Sequence, residues 1–445
     1  MTDPLGPLLP LDDEDPKKGK GVPAKDTAAR PGPPPRPLRL AAVGLESELT
    51  LFVDGRKAKP ETVFGDPTAF IRGPLVHRQG TSYHLPTGGA VYFDTGVVEI
   101  ATPAIEIARG CAARAGRSLW ESILFVRGEL DAWERRERRR VRLVGYSTHY
   151  NVSFEHRPPR GGRAPRLSIE DFARLLVHLL PVPVMLLVAN PRSTGIGVRP
   201  RRDRVEVTAD FTPSPALMIA AATLVTGVVR AAMRWPSYQL EELAGRGLPG
   251  VAGFAPIPHT SRKGLLARAE CYPGGDPFRT PPDAPVWPTA GGPKSLRGIG
   301  RDLFLAFRPA IRRVADPFTY RLLESIFLRH APVLLDLPDR PAAYEDVGRL
   351  CRWDDLFPES ALSRSLYERV LIHAIAGDLL RRNGRSWRPV GMHGWSEVVF
   401  ERVPDRARRT VPIDDLVRHL DEWKRGGTGR RPARPRRARR SRTAR

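Results

Sequence analysis

Gly44-Leu45-Glu46-Ser47-Glu48, inside the run Leu38–Val53, is the stretch on which the fold turns. β-prone apolar residues alternate there with Glu and Thr, as they do in a strand with one buried face. Residues two apart on a strand point the same way at roughly 6.5 to 7 Å, so Glu46 and Glu48 project together while Leu45 and Leu49 face the other side. An isolated Glu-x-Glu is most often a solvated pair. Its meaning depends on what else the chain brings to that face.

Three further segments offer polar groups at strand spacing. In Tyr92–Pro103, Asp94 and Glu99 are an odd number of positions apart, which would place them on opposite faces of a regular strand; a bulge at Gly96 would return them to one side, and an ordinary turn at Asp94–Gly96 is the alternative. In Gly145–Phe154, alternation sets His149, Asn151 and Ser153 against Tyr150 and Val152, with a satisfied core histidine as the plainer explanation. In Arg199–Asp210, the residues Arg204, Glu206, Thr208 and Asp210 share a face, which an edge strand with cross-strand ion pairs would also explain.

If these faces converge, Glu46, Glu48, Asp94, Glu99 and Glu206 meet around His149. Two carboxylates about 4 Å apart repel by roughly 4 kcal/mol at an effective dielectric of about 20, so such a cluster must take up protons or bind cations. Oxygen ligands with one imidazole suit Mg²⁺ or Mn²⁺. Ions of this kind bridge ATP phosphates and neutralise the charge of phosphoryl transfer, with arginines holding the γ-phosphate.

The order of the four segments resembles the glutamine synthetase-like superfamily. Its glutamate-cysteine ligases open on a Gly-x-Glu-x-Glu strand, continue with Glu-x-x-Thr-Pro and His-Tyr-Asn-x-Ser, and later show Val-Glu-Val; Gly44–Glu48, Glu99–Pro103, His149–Ser153 and Val205–Val207 stand here in that order. The Pup ligase and depupylase branch is similar at Gly89–Asp94, followed by Glu99 and Thr102-Pro103. The resemblance implies an α+β fold with a curved antiparallel β-sheet funnel backed by helices. It implies that Glu46, His149 and Glu206 hold one metal ion, and that Glu48 and Glu99, with Asp94, hold another. Asp94 and Arg204 become the catalytic candidates, and Arg199, Arg202, Asn151 and Ser153 the candidates for nucleotide contacts. Two departures are visible: Thr95–Val98 replaces the histidines of the Pup branch, and Thr208 stands where the glutamate-cysteine branch has an arginine.

Composition bounds the rest. The chain has 445 residues, 41% of them hydrophobic, enough for a large core and a smaller companion. Residues 1–37 are poor in apolar residues and are expected to form a disordered Pro-rich arm. Residues 38–296 are the expected catalytic domain, 297–425 a mainly helical C-terminal portion, and 426–445 a disordered Arg-rich tail. Strands are also expected at Pro183–Ala189, and helices at Ala343–Arg352, Ser363–Arg381 and Ile413–Lys424. The Gly/Pro-rich segment Tyr238–Leu296 is expected to be loops facing substrate, with His259–Gly264 as a candidate polar cluster. Cys111, Cys271 and Cys351 are widely spaced, which suggests reduced thiols and no thiolate zinc site. No signal peptide or membrane span is expected, so the cytoplasm is the expected location.

Much of the net charge of +23 is terminal: Gly429–Arg445 carries nine arginines and no acid, and without them the charge is +14. That tail could neutralise phosphates or acidic partners but has no aromatic platform for bases. The expected function is an ATP- and Mg²⁺-dependent carboxylate-amine ligase acting through an acyl phosphate on carboxylate and amine substrates, small molecules or peptides. The alternatives are an amide hydrolase on the same site, or an inactive relative that binds nucleic acid or an acidic partner through its tail.

Overall fold

Alternation in the opening strand has the consequence it should. In the computed structural model, which describes residues 38–73, 75–77, 82–155, 167–190, 192–259, 263–336, 344–352, 364–376, 381–382, 385–393, 395–402 and 405–417, Leu45 and Leu49 are fully buried on one side of the strand β1 (Ala42–Val53). The expectations for 1–37 and 426–445 fall outside those residues.

The elements that position the site follow in chain order. They are the hairpin β2 (Ala90–Asp94) and β3 (Val97–Ala101), helix α1 (Cys111–Glu137), strand β4 (Val141–Ser153), helices α2 (Ile169–Leu179) and α3 (Pro181–Val188), strands β5 (Ile196–Pro200) and β6 (Arg204–Asp210), helix α4 (Pro215–Ala232), strand β7 (Leu265–Ala267), helices α5 (Leu296–Val314), α6 (Pro317–Arg329) and α7 (Leu366–Ile375), and strands β8 (Arg385–His393), β9 (Glu397–Arg402) and β10 (Arg408–Pro412). The fold is α+β. Its main sheet runs β7-β5-β6-β4-β1-β3-β2, antiparallel throughout and open, with short strands extending both edges.

Helices cover one face of this sheet. Leu45, Leu49 and Leu51 pack into a continuous core with Leu119, Trp120 and Ile123 of α1 and with the buried sides of α2 to α6. Each apolar side chain that is fully removed from water contributes roughly 1.5–3 kcal/mol, which makes this face the main source of cohesion. Helix α4 has the length and apolarity of a membrane span, with a mean hydropathy of 1.6 over 18 residues, but 72% of that window is buried inside the protein. It is a core helix, packed against α5.

The opposite face carries Ala42, Ala90, Tyr92 and Ala101, which form a second cluster with Tyr367, Val370 and Leu371 of α7 and with Met392, Trp395 and Phe400. Helix α7 is started by a reciprocal cap between Ser365 and Glu368, and the same Glu368 forms a buried ion pair with Arg117 of α1 at 2.7 Å.

Several local expectations are corrected. Pro183–Ala189 is not a strand but most of α3; every residue of that helix is buried, so its apolar run shows no period, and its prolines sit in the first turn, where amide donors have no helical acceptor anyway. The C-terminal portion carries the expected helices α5, α6 and α7, but also strands that were not expected. Tyr344–Asp346 is a short strand paired to β4, because Asp346 is fixed by accepting a bond from the Leu143 amide at 3.0 Å. Arg381–Arg382 with β8, β9 and β10 form a four-stranded antiparallel sheet. The helix expected over Ser363–Arg381 is shorter, Leu366–Ile375, and of the one expected at Ile413–Lys424 only the part to residue 417 is described.

Candidate functional site

Strand pairing assembles the carboxylates. In β1, Glu46 lies opposite His149 of β4, and Glu48 lies opposite Glu99 of β3 on one side and Ser147 on the other. Residues opposite one another in antiparallel strands share a face, so all five project together. Glu206 of β6 is opposite Asn151, two residues along β4 from His149 and so on the same face.

Asp94 joins that face by a route different from the expected one. No bulge occurs at Gly96: Thr95 and Gly96, with φ of 47° and 93°, form a two-residue turn, and the hairpin pairs Asp94 with Val97 and Tyr92 with Glu99. Because the chain reverses, the odd offset between Asp94 and Glu99 puts them on the same face. A register shift does occur elsewhere, between Glu48 and Leu49 against Ser147 and Gly145, and it frees Tyr146 to stand half exposed at the cavity.

His149 is the hub. Its Nδ1 is 2.9 Å from Glu46 Oε2 and its Nε2 is 3.3 Å from Glu48 Oε1, while the Ser147 hydroxyl donates to Glu48 Oε2. Glu46, His149 and Glu206 offer ligand atoms within 4.8 Å of one another, and so do Glu48, Glu99 and His149. Glu46, Glu99, Glu206 and His149 are all buried. Glu46 Oε1 and Glu99 Oε2 are shielded from solvent without a hydrogen-bond partner among the described residues. A buried carboxylate oxygen left so costs several kcal/mol unless a proton or a cation meets it.

The charges are arranged accordingly. Burial raises Glu46 to about 7 against the pull of His149. Burial, then the charges of Glu48 and Asp94, hold Glu99 well above the usual carboxylate range. For Glu48, burial is outweighed by His149, Ser147 and Arg199, which bring it down to about 2. His149 is held well above the usual imidazole value because Glu48 and Glu46 together overcome its burial. Glu206 is held well below the usual range, since Arg199, Arg201 and His149 outweigh its burial.

A cavity of about 460 Å³ opens on this face, lined by Glu48, Asp94, Tyr146, Ser147, His149, Arg199 and Thr208 and walled on the far side by His259, Leu266 and Arg268. Asp94 stands exposed at its mouth, held by the Thr95 hydroxyl at 2.8 Å. Partial enclosure, and then the charge of Glu48 working against that hydrogen bond, raise its carboxyl above the usual value. His259 is pushed down to about 4 by burial and by Arg199 nearby. It comes from the loop segment expected to face substrate; residues 260–262 of that cluster are outside the described residues.

The other candidates separate. Arg199 pairs with Glu206 and lines the cavity. Arg204 is buried, bound to Asp203 at 3.1 Å, and lowered by burial to about 10. Arg202 is exposed in the tight turn between β5 and β6. Ser153 accepts a bond from the Ala42 amide at 2.9 Å and so anchors the start of β1, and Asn151 is fully buried, paired across the sheet between Gly44 of β1 and Glu206 of β6. Arg201, absent from the expected set, donates to Glu206 at 3.0 Å. Strand pairing would have found it: Arg199 is opposite Glu206, and Arg201 is two positions further along the same face.

No family model matches the chain, and no curated protein matches it. Among solved structures, it is similar to the crystal structure of the complex between the prokaryotic ubiquitin-like protein Pup and its ligase PafA, with a TM-score of 0.43 and 11% sequence identity over 87% of this chain and 93% of that one.

Proposed function

We propose that this chain is an ATP- and divalent-metal-dependent ligase of the glutamine synthetase-like kind, joining a carboxylate to an amine through an acyl phosphate. One observation carries the reading: two oxygen-rich ligand sets, Glu46–His149–Glu206 and Glu48–Glu99–His149, share one buried histidine beside a cavity lined by Arg199 and Asp94. The residues fit hard cations, since the set is carboxylate with one imidazole and since buried oxygens of Glu46 and Glu99 are left unbonded. Bound Mg²⁺ or Mn²⁺ would supply neutralisation of the phosphate charge that phosphoryl transfer requires.

The chain's own groups supply the rest. Arg199 is already held at the cavity by Glu206 and orients the anion, with Arg268 facing it from the loop side. No arginine stands at Thr208, and among the described residues lining the cavity Arg199 and Arg268 are the cations placed to do its work. Asp94 Oδ1 is engaged by Thr95, so Oδ2 takes the proton of the incoming amine. Its raised pKa keeps it within reach of that task.

The test is incubation with ATP, Mg²⁺ and pools of carboxylates and amines, following ADP and phosphate, with hydroxylamine as a trap. Carboxylate-dependent ADP release with hydroxamate formation supports the proposal. Amide cleavage without stoichiometric ATP use would replace it with a hydrolase on the same residues. Neither activity under any pool would overturn both.

A further inference from the structure

A wider cavity, about 730 Å³, lies among the helices, on the side of the sheet away from the carboxylates. Its floor is apolar, built by Phe307 and Val314 of α5 with Leu248, and five arginines surround it: Arg109, Arg230, Arg234, Arg246 and Arg313. Arg230 pairs with Glu155 at 2.6 Å and Arg246 with Glu242 at 3.0 Å. Arg109, Arg234 and Arg313 are exposed and make no ion pair among the described residues. Three exposed guanidinium groups without an acidic partner among the described residues give the trough a positive rim, which an anionic occupant complements.

The aromatic geometry selects the class of anion. Trp235 stacks on Phe307 with ring centroids 5.8 Å apart and an interplanar angle of 18°, and the Arg246 guanidinium lies 4.3 Å over the Trp235 ring. Both rings are engaged, whereas single-stranded nucleic acid gains its affinity by stacking bases on open aromatic faces. What remains on offer is an apolar floor with forked donors at the rim, which suits alkyl side chains below and carboxylates above. The volume is also within the roughly 300–1,000 Å³ of sites that hold a compact ligand segment.

We propose that this groove docks an acidic peptide segment of a partner polypeptide, with a leucine-type side chain on the Phe307–Leu248–Val314 floor and Asp or Glu side chains on Arg109, Arg234 and Arg313. The proposal is independent of the ligase reading, because it shares no residue with the carboxylate site. The probe is a short fluorescein-labelled peptide of Leu and Glu, titrated by anisotropy with the full chain. Its control peptide has Gln for Glu, and a labelled oligodeoxythymidylate is the competitor class.

The expected result is saturable binding that weakens as salt rises and falls at least about tenfold both for the Gln peptide and for an Arg234→Glu, Arg313→Glu variant. An unchanged thermal midpoint in that variant shows that its fold is intact. No saturable binding by the Glu peptide, equal binding by the variant or by the Gln peptide, or tighter binding of the oligodeoxythymidylate each overturns the proposal.

Discussion

Binding of metal ions should drive protons off this protein, and the amount follows from the site. Glu46 sits at about 7, raised from the ordinary carboxylate value by burial, so in the ion-free protein it is about half protonated at pH 7. Burial holds Glu99 well above its usual value, and Glu48 and Glu46, overcoming burial, hold His149 well above its own, so both keep their protons to higher pH than the free groups do. A cation needs ionised carboxylates and a neutral imidazole, so loading both ligand sets at pH 7 should release protons, about half of one from Glu46 alone. The direction is fixed by the sign of these shifts: raised folded-state values mean that ion affinity falls as pH drops through 7. Glu46 alone should weaken binding roughly fivefold between pH 7 and pH 6, or about 1 kcal/mol, before Glu99 and His149 add to it. Calorimetric titration of Mn²⁺ in two buffers of different ionisation heat reads the proton count directly. Tight binding whose heat does not depend on the buffer would refute the electrostatic account of the site.

Other expectations concern the scaffold and the reaction. Leu45→Ala removes a fully buried side chain between β1 and the helices and should cost roughly 2–5 kcal/mol in a denaturant titration. Arg117→Met leaves the fully buried Glu368 with, among the described residues, only the half-exposed Arg364 as ionic partner, and should destabilise the docking of α7 by roughly 3–5 kcal/mol, visible as faster hydrogen exchange confined to that helix. Asp94→Asn keeps the shape of the turn but removes the base, so turnover should fall by about 10²-fold or more while Mn²⁺ affinity changes little. A comparable loss of Mn²⁺ affinity would instead make Asp94 a ligand.

The site was legible in the sequence to the extent that strand alternation carries it. Glu46 and Glu48, His149, and Glu206 each lie on the polar side of a period-two pattern, and the structure brings them together with Glu99. Asp94 was placed on the correct face for the wrong reason, since turn and bulge both change the parity and Thr95-Gly96 does not distinguish them by composition. Arg201 was overlooked because register between β5 and β6 is set by a turn of charged residues, Arg202-Asp203, which lacks the usual glycine signal. Helix α3 was mistaken because a segment buried on every side has no periodicity to detect. In β8, Pro389 and Gly391 interrupt the alternation at a register shift, and this hid the C-terminal sheet.

The central claim is that these carboxylates hold metal for a nucleotide, and the most direct measurement is titration of the purified chain with ATP, with and without Mg²⁺, beside a Glu46→Ala, Glu48→Ala variant shown to be folded. The account predicts ATP binding that requires Mg²⁺ and disappears in the variant. ATP binding that is independent of Mg²⁺ and unchanged in the variant, or no ATP binding at all, would contradict it.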